Sequence, residues 1–371
     1  MAGDWNYLAG RLTGDGGIDI IETELEIQVE SLTRNVSAPS AMTGTISGEV
    51  RRLKVDGRPL FEPWNTVILA EASGQLKAMG LYQPAPTFTG ADWKLSMAGL
   101  GSYPIGMPYT DSRYFIDADP LDIYRHIWEH LQSQPGGNLG VTIDSLQSPV
   151  RVGEQIENVE FVTGAGERVA FEAGPRKLNW WQTKNLGKEV DDYAKETPFD
   201  WIERIFWDGR TPRCHIGLGY PTLGGRKDLR LVYGENLASR PTVTEGEFAT
   251  AVMVVGAGEG RDSIRGDAGR TGSRVRRVKV VEDKSLRSIK AANAMANDEL
   301  ARTNGELIVD KVEVHDHPNA RLEAIEPGDE VRLYFEDDWV KVDQWVRVVS
   351  KTESPENSSV AMLTLVRSVV V

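Results

Sequence analysis

Two histidines and a glutamate, spaced as in a zinc-peptidase motif, are the sharpest chemical signal in the chain. His126, Glu129 and His130 fit the pattern HxxEH within a segment of helical periodicity, so both imidazoles would share one helix face. In such a site the histidines bind zinc and the glutamate acts as general base. No third ligand can be placed from the sequence, and Tyr124 and Trp128 also fit a helix that packs into a core. Zinc peptidase activity therefore remains a distant alternative.

Three other segments have residue types that can do chemistry. Gly256 and Gly258 begin a fingerprint typical of dinucleotide binding, but Arg261 stands where its third glycine belongs. The histidines of segment 315–317 precede a proline, which indicates a hairpin tip rather than a metal pair. Cys214 is the single cysteine and has no catalytic motif around it. We expect no catalytic residue, no bound metal and no cofactor.

The composition sets the broad class of the protein. The chain has 371 residues, 40% hydrophobic and 26% charged, which is ordinary globular composition and indicates two or more domains. The formal net charge of −13 would repel phosphates and disfavours broad nucleic-acid binding. The N-terminus lacks a basic stretch followed by an apolar run, and no apolar segment approaches about 18 residues. We expect a protein made in the cytoplasm without a membrane anchor.

Alternating apolar and polar residues predict many short strands. Over 19–30, Leu25, Ile27 and Val29 alternate with polar residues, which is typical of a strand with one wet face. Further strands are expected at 43–50, 66–71, 76–82, 93–98, 250–255, 307–314, 330–335, 340–349 and 360–366. Asp208-Gly209 predicts the turn of a hairpin over 199–218.

Helical spacing appears at three places between these strands. Asp119 and Pro120 are an N-cap and a first-turn proline, and they predict a helix that ends before Gly136. Further helices are expected over 186–194 and 285–300. Segment 256–277 is rich in glycine and arginine without periodicity, so it is expected to be a long exposed loop.

These elements predict a mainly β fold with α inserts, of the α+β class. The predicted division is a first β-barrel at 1–110, a helix-containing insert at 111–195, a second β-barrel made of 196–255 and 306–371, and a basic loop and helix insert at 256–305.

The predicted loop collects positive charge in an otherwise acidic protein. Its candidate interface residues are Arg261, Arg265, Arg270, Arg274, Arg276, Arg277 and Lys279. Such a run can be a solvated surface loop. It can equally contact an acidic neighbouring subunit, because arginine binds carboxylates through two parallel hydrogen bonds.

Ten tryptophans leave a second question open. Several of them stand near turns: Trp5, Trp64, Trp180, Trp181 and Trp339. Aromatic faces stack on sugars, so a carbohydrate-binding adhesin is the alternative function. Aromatic residues are also enriched in cores and subunit interfaces, and we favour that interpretation.

A series of short motifs gives the chain its resemblance to a known family. In order, they are Thr45-Ile46-Ser47-Gly48, Pro63-Trp64-Asn65-Thr66, Met79-Gly80-Leu81, Gly101-Ser102-Tyr103, Tyr220-Pro221, Gly234-Glu235-Asn236-Leu237, the segment 254–260 and Pro327-Gly328-Asp329-Glu330-Val331. This ordered set, spread over 18–366, resembles the minor tail proteins of long-tailed phages that infect actinobacteria, a group similar to the tail hub, or baseplate hub, family.

The resemblance implies a structural protein of the virion tail tip rather than an enzyme. It implies two related β-barrels with two smaller inserted domains, and a homotrimer whose ring joins the tail tube to the tip. The implied partners are other tail-tip and tail-tube proteins and the tape-measure protein, with DNA only in transit through the channel. An acidic chain suits such a channel, because DNA would pass without adhering.

Overall fold

The computed structural model describes residues 5–84, 92–153, 157–162, 168–173, 175–182, 185–197, 199–272, 275–284, 286, 288–305 and 307–368. This part of the chain is mostly β with a few helices, as the sequence predicts. Among the described residues, no helix has both the length and the apolar character needed to span a membrane.

The N-terminal part is a run of antiparallel strands with one short helix. Strands β1 to β9 are Trp5–Leu12, Ile18–Glu22, Gln28–Asn35, Ala41–Ser47, Lys54–Val55, Arg58–Pro59, Thr66–Ala72, Gln75–Tyr82 and Asp92–Ala98, and helix α1 is Gly48–Arg51.

The middle of the chain carries two longer helices among short strands. In chain order they are β10 (Ser112–Phe115), α2 (Pro120–Ser133), β11 (Thr142–Ile143), β12 (Glu157–Val162), β13 (Arg168–Ala173), β14 (Arg176–Asn179), α3 (Leu186–Glu196), β15 (Asp200–Asp208) and β16 (Thr211–Gly219).

The C-terminal part returns to β structure around one helix. Its elements are β17 (Arg226–Val232), β18 (Thr244–Glu245), β19 (Ala251–Val255), β20 (Arg265–Gly269), β21 (Val278–Glu282), α4 (Ile289–Arg302), β22 (Leu307–Ile308), β23 (Lys311–His315), β24 (Glu330–Glu336), β25 (Lys341–Ser354) and β26 (Asn357–Arg367).

Local signals placed several of these elements correctly. The Asp119 carboxylate accepts a hydrogen bond from the Leu121 N–H at 2.9 Å and caps α2, with Pro120 in the first turn. Helix α3 begins at the predicted residue, and α4 begins after the N-cap Ser288. Residue 285, where the sequence starts that last helix, lies outside the described residues. The β15–β16 hairpin turns after Asp208, as predicted.

Strand β25 joins the two β-rich parts into one sheet. Its residues 341–347 pair with β24, and 350–353 pair with β3 along the same edge. The opposite edge pairs with β26. The resulting path runs β17-β24-β25-β3-β4-β9-β8-β7-β1-β2 and stays open among the described strands. The two related β-barrels that the sequence predicts are therefore not confirmed by the strand pairing of the described residues.

The described residues form four hydrophobic clusters. One lies within the N-terminal sheet around Phe61 and Tyr82, and a second lies in the C-terminal sheet around Phe335. The largest joins α2 and α3 to one face of the N-terminal sheet and to the β15–β16 hairpin. The fourth lies between α4 and the three-stranded sheet β20-β19-β21. The domain boundaries given by the sequence remain a prediction.

One predicted strand is divided in the structure. The continuous strand expected over 19–30 is instead β2 and β3, with a connection between them. Leu25 lies in this connection, where its N–H donates to the Tyr7 carbonyl at 2.8 Å and its side chain is buried. The alternation continues through the connection because Leu25 still points into the core. The sequence pattern therefore could not show the break.

The expected loop 256–277 contains a strand. Strand β20 pairs antiparallel with β19, and its Gly266 lies directly against the backbone of Ala292 in α4. A side chain at this position would collide with the helix, so a glycine stands where a strand normally carries an apolar residue. The alternation that identifies strands is consequently missing from this segment.

A buried glutamate fastens β15 to the N-terminal sheet. The Glu203 carboxylate accepts hydrogen bonds from the backbone N–H of Ser40, at 2.7 Å, and of Gly101. A Cβ atom at Gly99 or Gly101 would collide with this carboxylate, so both glycines make room for it. Burial raises the pKa of Glu203 above its ordinary value.

Ionic contacts support the junction made by β25. Arg347 forms an ion pair with Asp200, and both side chains are largely buried. Asp200 also accepts hydrogen bonds from the Leu223 N–H at 2.7 Å and from the Ser37 hydroxyl at 3.0 Å. Asp200 thereby links β15 and the N-terminal part to the C-terminal sheet.

We expect Arg347→Ala to lower the free energy of unfolding by about 3–5 kcal/mol, because it leaves the buried Asp200 carboxylate without its counterion. Chemical denaturation followed by circular dichroism measures the change. The matched control is Arg332→Ala, which breaks the exposed Arg332–Asp343 pair at 2.7 Å and should cost much less. Equal losses in the two variants would contradict the role given to the junction.

Candidate functional site

The two histidines of the zinc-peptidase pattern form hydrogen bonds within the protein. His126 Nε2 lies 2.8 Å from the Tyr109 hydroxyl. His130 Nε2 accepts from the Thr110 N–H at 3.2 Å and lies 3.0 Å from the Thr110 hydroxyl. The Tyr109 ring packs against His130, with ring centroids 4.1 Å apart and the ring planes inclined at 34°. This arrangement uses the ring nitrogens to fix α2 against the segment before β10.

The other residues that the sequence marks as able to do chemistry also lie in structural contacts. After Gly256 and Gly258 the chain enters a single 3-10 turn and then β20, where a dinucleotide fold would have a helix. Asp316 accepts hydrogen bonds from Arg321 at 2.7 Å and from the Leu322 N–H at 3.0 Å. Cys214 is buried in β16, and burial raises the pKa of its thiol. Within the described residues, no three His, Cys, Asp or Glu side chains cluster as a metal site would require.

The basic segment belongs to a small folded unit. Strands β20, β19 and β21 form a sheet, and α4 covers one face of it through Ala292, Ala296 and Leu300. In the middle strand, Val252 and Val254 point at the helix and are fully buried. Ala251 and Met253 occupy the alternate positions and point to the other face, where they are only partly buried.

Several of the predicted interface cations are engaged inside this unit. Arg265 forms an ion pair with Asp267 at 2.7 Å, which raises the pKa of its guanidinium. Arg270 donates to the carbonyls of Ala249 and Thr303, and Lys279 bridges Glu247 and Glu299 at 2.5 and 2.7 Å. Both carboxylates raise the pKa of Lys279.

The other cations of the segment lie at its surface. Arg261, Arg276 and Arg277 are exposed, while Arg274 lies outside the described residues. The Arg277 backbone is held by the Thr250 hydroxyl, which accepts from its N–H at 2.8 Å and donates to its carbonyl at 3.0 Å. Arg276 and Arg277 are therefore presented by an ordered backbone at the start of β21.

The exposed tryptophans fall into separate places. Trp180 and Trp181 follow β14 and contact each other edge to face, with ring centroids 5.6 Å apart. Trp64 is also more than half exposed, and Trp339 is 89% exposed at the tip of the β24–β25 hairpin. Trp5, by contrast, is half-buried and stacks on a neighbouring tyrosine. Position near a turn did not distinguish these cases.

Comparison with known proteins shows which solved structures share the fold of this chain. The sequence matches no protein-family model and no curated protein. Solved structures with the same fold include the 43 kDa tail protein of prophage MuSo2 from Shewanella oneidensis, at 12% identity over 98% of each chain and a TM-score of 0.56. A tail protein from Neisseria meningitidis MC58 has 12% identity over 97% of this chain and 96% of that chain, with a TM-score of 0.53.

A third structure extends the same likeness. Prophage tail protein gp18 from Listeria monocytogenes EGD-e has 11% identity over 97% of this chain and 94% of that chain, with a TM-score of 0.54. In all three cases the match runs through nearly the whole length of both chains. The chain therefore has the fold found in these tail proteins.

The histidine pair on α2 makes the stability depend on pH. Burial lowers the pKa of both His126 and His130 below the ordinary histidine value, with Arg113 lowering that of His126 further. A lowered pKa means that the unfolded chain binds protons more readily than the folded protein does. The contribution of the two neutral histidines to the free energy of unfolding is therefore complete above about pH 6.5, the ordinary pKa of histidine. It is lost as the pH falls below that value.

We expect the double variant His126→Gln/His130→Gln to flatten the fall in the free energy of unfolding as the pH drops below about 6.5. Urea denaturation at a series of pH values measures this slope. His315→Gln, at an exposed position of β23, is the matched control and should leave the wild-type slope intact. A double variant with an unchanged slope would contradict the effect assigned to the pair.

Proposed function

We propose that this chain is a structural, non-enzymatic subunit of a long-tailed phage tail, acting as the hub of the tail tip. The observation that carries the proposal is the fold shared with phage tail proteins over 98% of the chain. The ordered motifs that resemble minor tail proteins of actinobacterial phages support the same assignment and narrow the class of phage.

The proposed assembly is a homotrimer that forms one ring. Each chain contributes two β-rich units, at 1–110 and at 196–255 with 306–371, and two inserts at 111–195 and 256–305. Three chains then present six such units and match a sixfold tail tube while retaining the threefold symmetry of a tip. The junction at β25 supports this arrangement, because it fixes the relative orientation of the two units within a chain.

The proposed partners follow from that position. Rings of tail-tube and tail-tip proteins lie on either side, the tape-measure protein occupies the channel before ejection, and DNA passes through it. A net charge of −13 suits a channel wall that DNA must not bind. The proposed location is the tail tip of the virion.

The exposed cations are the proposed contact with a neighbouring subunit. Arg261, Arg276 and Arg277 are exposed at the surface of the basic insert. Arginine can bind a carboxylate through two parallel hydrogen bonds, and the rest of this chain is rich in carboxylates.

A carbohydrate-binding adhesin is the second candidate, and one observation favours it. Trp180, Trp181 and Tyr114 are all more than half exposed, and Lys177 lies over the Tyr114 ring at 5.8 Å. Because β10 and β14 pair, Tyr114 stands opposite Lys177 on a ribbon that leads directly into the two tryptophans. Aromatic faces with nearby polar groups are suitable platforms for sugar rings.

The hub assignment predicts one closed ring of three copies of this chain at the end of the tail tube. Cryo-electron microscopy of the tail tip tests the prediction. The 371-residue chain would be identified in the map from its sequence. A ring of six copies, or a position outside the tail axis, would contradict the hub assignment.

The adhesin alternative predicts saturable binding of the purified chain to host cell-wall glycans on an array. The binding should be lost in Trp180→Ala/Trp181→Ala and retained in the control Trp64→Ala, which removes an exposed tryptophan elsewhere. An array without saturable binding rejects this alternative and leaves the hub assignment in place.

A further inference from the structure

The β24–β25 hairpin presents a tryptophan on a rigid tip. Asp337 Oδ1 accepts hydrogen bonds from the N–H groups of Trp339, at 2.9 Å, and Val340, at 2.8 Å. The other carboxylate oxygen of Asp337 forms an ion pair with Arg240. These contacts hold the pKa of Asp337 below its ordinary value. The turn is thus ordered in the isolated chain, while the Trp339 side chain is 89% exposed.

A groove with an apolar lining lies between residues 247–249 and residues 275–279 at the start of β21. Its volume is about 430 Å³, and its apolar lining includes Phe248, Ala249, Val275 and Val278. Arg277, Lys279 and Glu247 line it as well, and Lys279 pairs with Glu247 at 2.5 Å. The walls are fixed, because Arg270 lies over the Phe248 ring at 5.5 Å and donates to the Ala249 carbonyl at 2.6 Å.

The hairpin tip and the groove do not meet within one chain. Trp339 is 89% exposed, and Val275, at the groove, is 82% exposed. Exposure of these two apolar side chains to water is unfavourable, and a contact that buries them would lower the free energy. An intermolecular contact would bury both.

The two surfaces are complementary in charge as well as in polarity. Asp338 precedes Trp339 and is exposed, whereas Glu336 pairs with Lys341 at 2.9 Å and Asp337 pairs with Arg240. The groove has an apolar lining with Arg277 at its edge, while its Lys279 and Glu247 pair with each other. A carboxylate beside the indole would meet a guanidinium beside the groove.

We propose that Trp339 of one copy of this chain inserts into the groove of a second copy, with Asp338 facing Arg277. The contact rests on the proposed function, since it supplies the repeated interface of the ring. It joins two different surfaces, so it propagates from copy to copy in one direction and closes when the rotation between copies permits. A rigid aromatic anchor in an apolar pocket is typical of the residues that dominate interface affinity.

The first test removes the anchor. Sedimentation velocity and native mass spectrometry of the full chain over a concentration series give the affinity of self-association. We expect Trp339→Ala to weaken it roughly 30-fold or more. Trp64→Ala is the matched control, because it removes an exposed tryptophan from the N-terminal part, and it should retain wild-type association.

The second test exchanges the charges. Asp338→Arg and Arg277→Asp should each weaken association, and the double variant should recover it, with larger differences at low salt. A double variant as weak as the sum of the two single changes would overturn the proposed pairing of these residues.

The third test identifies the two surfaces directly. A chain carrying Asp338→Cys is mixed with a chain carrying Val278→Cys under mild oxidation, and a mixed disulfide dimer is expected. Cys214 is buried and does not compete. The control mixture replaces Val278→Cys by Leu53→Cys, an exposed position in the N-terminal part, and should give no dimer above background.

The outcomes separate this contact from the hub assignment. A trimer that persists in Trp339→Ala, with no mixed disulfide, overturns the contact and leaves the ring in place. A wild-type chain that stays monomeric at high concentration and forms no mixed disulfide overturns both. Loss of association in Trp339→Ala together with the mixed disulfide supports the contact.

Discussion

The pairing of β25 with two strands along one edge is the constraint on which the rest of the structure depends. Residues 341–347 of this strand belong to the C-terminal sheet, and 350–353 extend the N-terminal sheet. Any shift in register would turn the buried face of one part toward solvent. The buried Lys351 lies within this stretch and donates to the Leu322 carbonyl at 2.6 Å, and its burial lowers its pKa. The packing of both parts therefore requires one register.

Local chemistry made much of the fold predictable. The aspartate and proline at 119 and 120 placed α2, and the Asp208-Gly209 pair placed the β15–β16 turn. The junction itself was not predictable, because pairing between β3 and β25 joins residues more than 300 positions apart and leaves no periodic trace. Strand β20 was missed for a local reason. Gly266 packs against α4 at a position where a strand normally carries an apolar side chain, so the alternation that identifies strands is absent.

The candidate site was predictable in composition but not in geometry. The cations between 261 and 279 show from the sequence alone that this segment is basic. The count could not show that Arg265, Arg270 and Lys279 have partners in their own unit, while Arg276 and Arg277 face solvent. The same limit applies to predicting which tryptophans are exposed. Trp5 and Trp339 both stand near turns, but only Trp339 is almost fully exposed. Side-chain availability depends on tertiary contacts that composition does not record.

The shared strand also makes the molecule mechanically anisotropic. A force directed along β25 loads its hydrogen bonds to β3, β24 and β26 together, in shear, so many bonds must break at once. A force across the strands instead peels the four-residue ladder to β3 one pair at a time. Resistance to forced unfolding is a rate property, and it differs between these directions even though the stability at rest is the same. We therefore expect a force along β25 to meet more resistance than a force that peels β25 from β3.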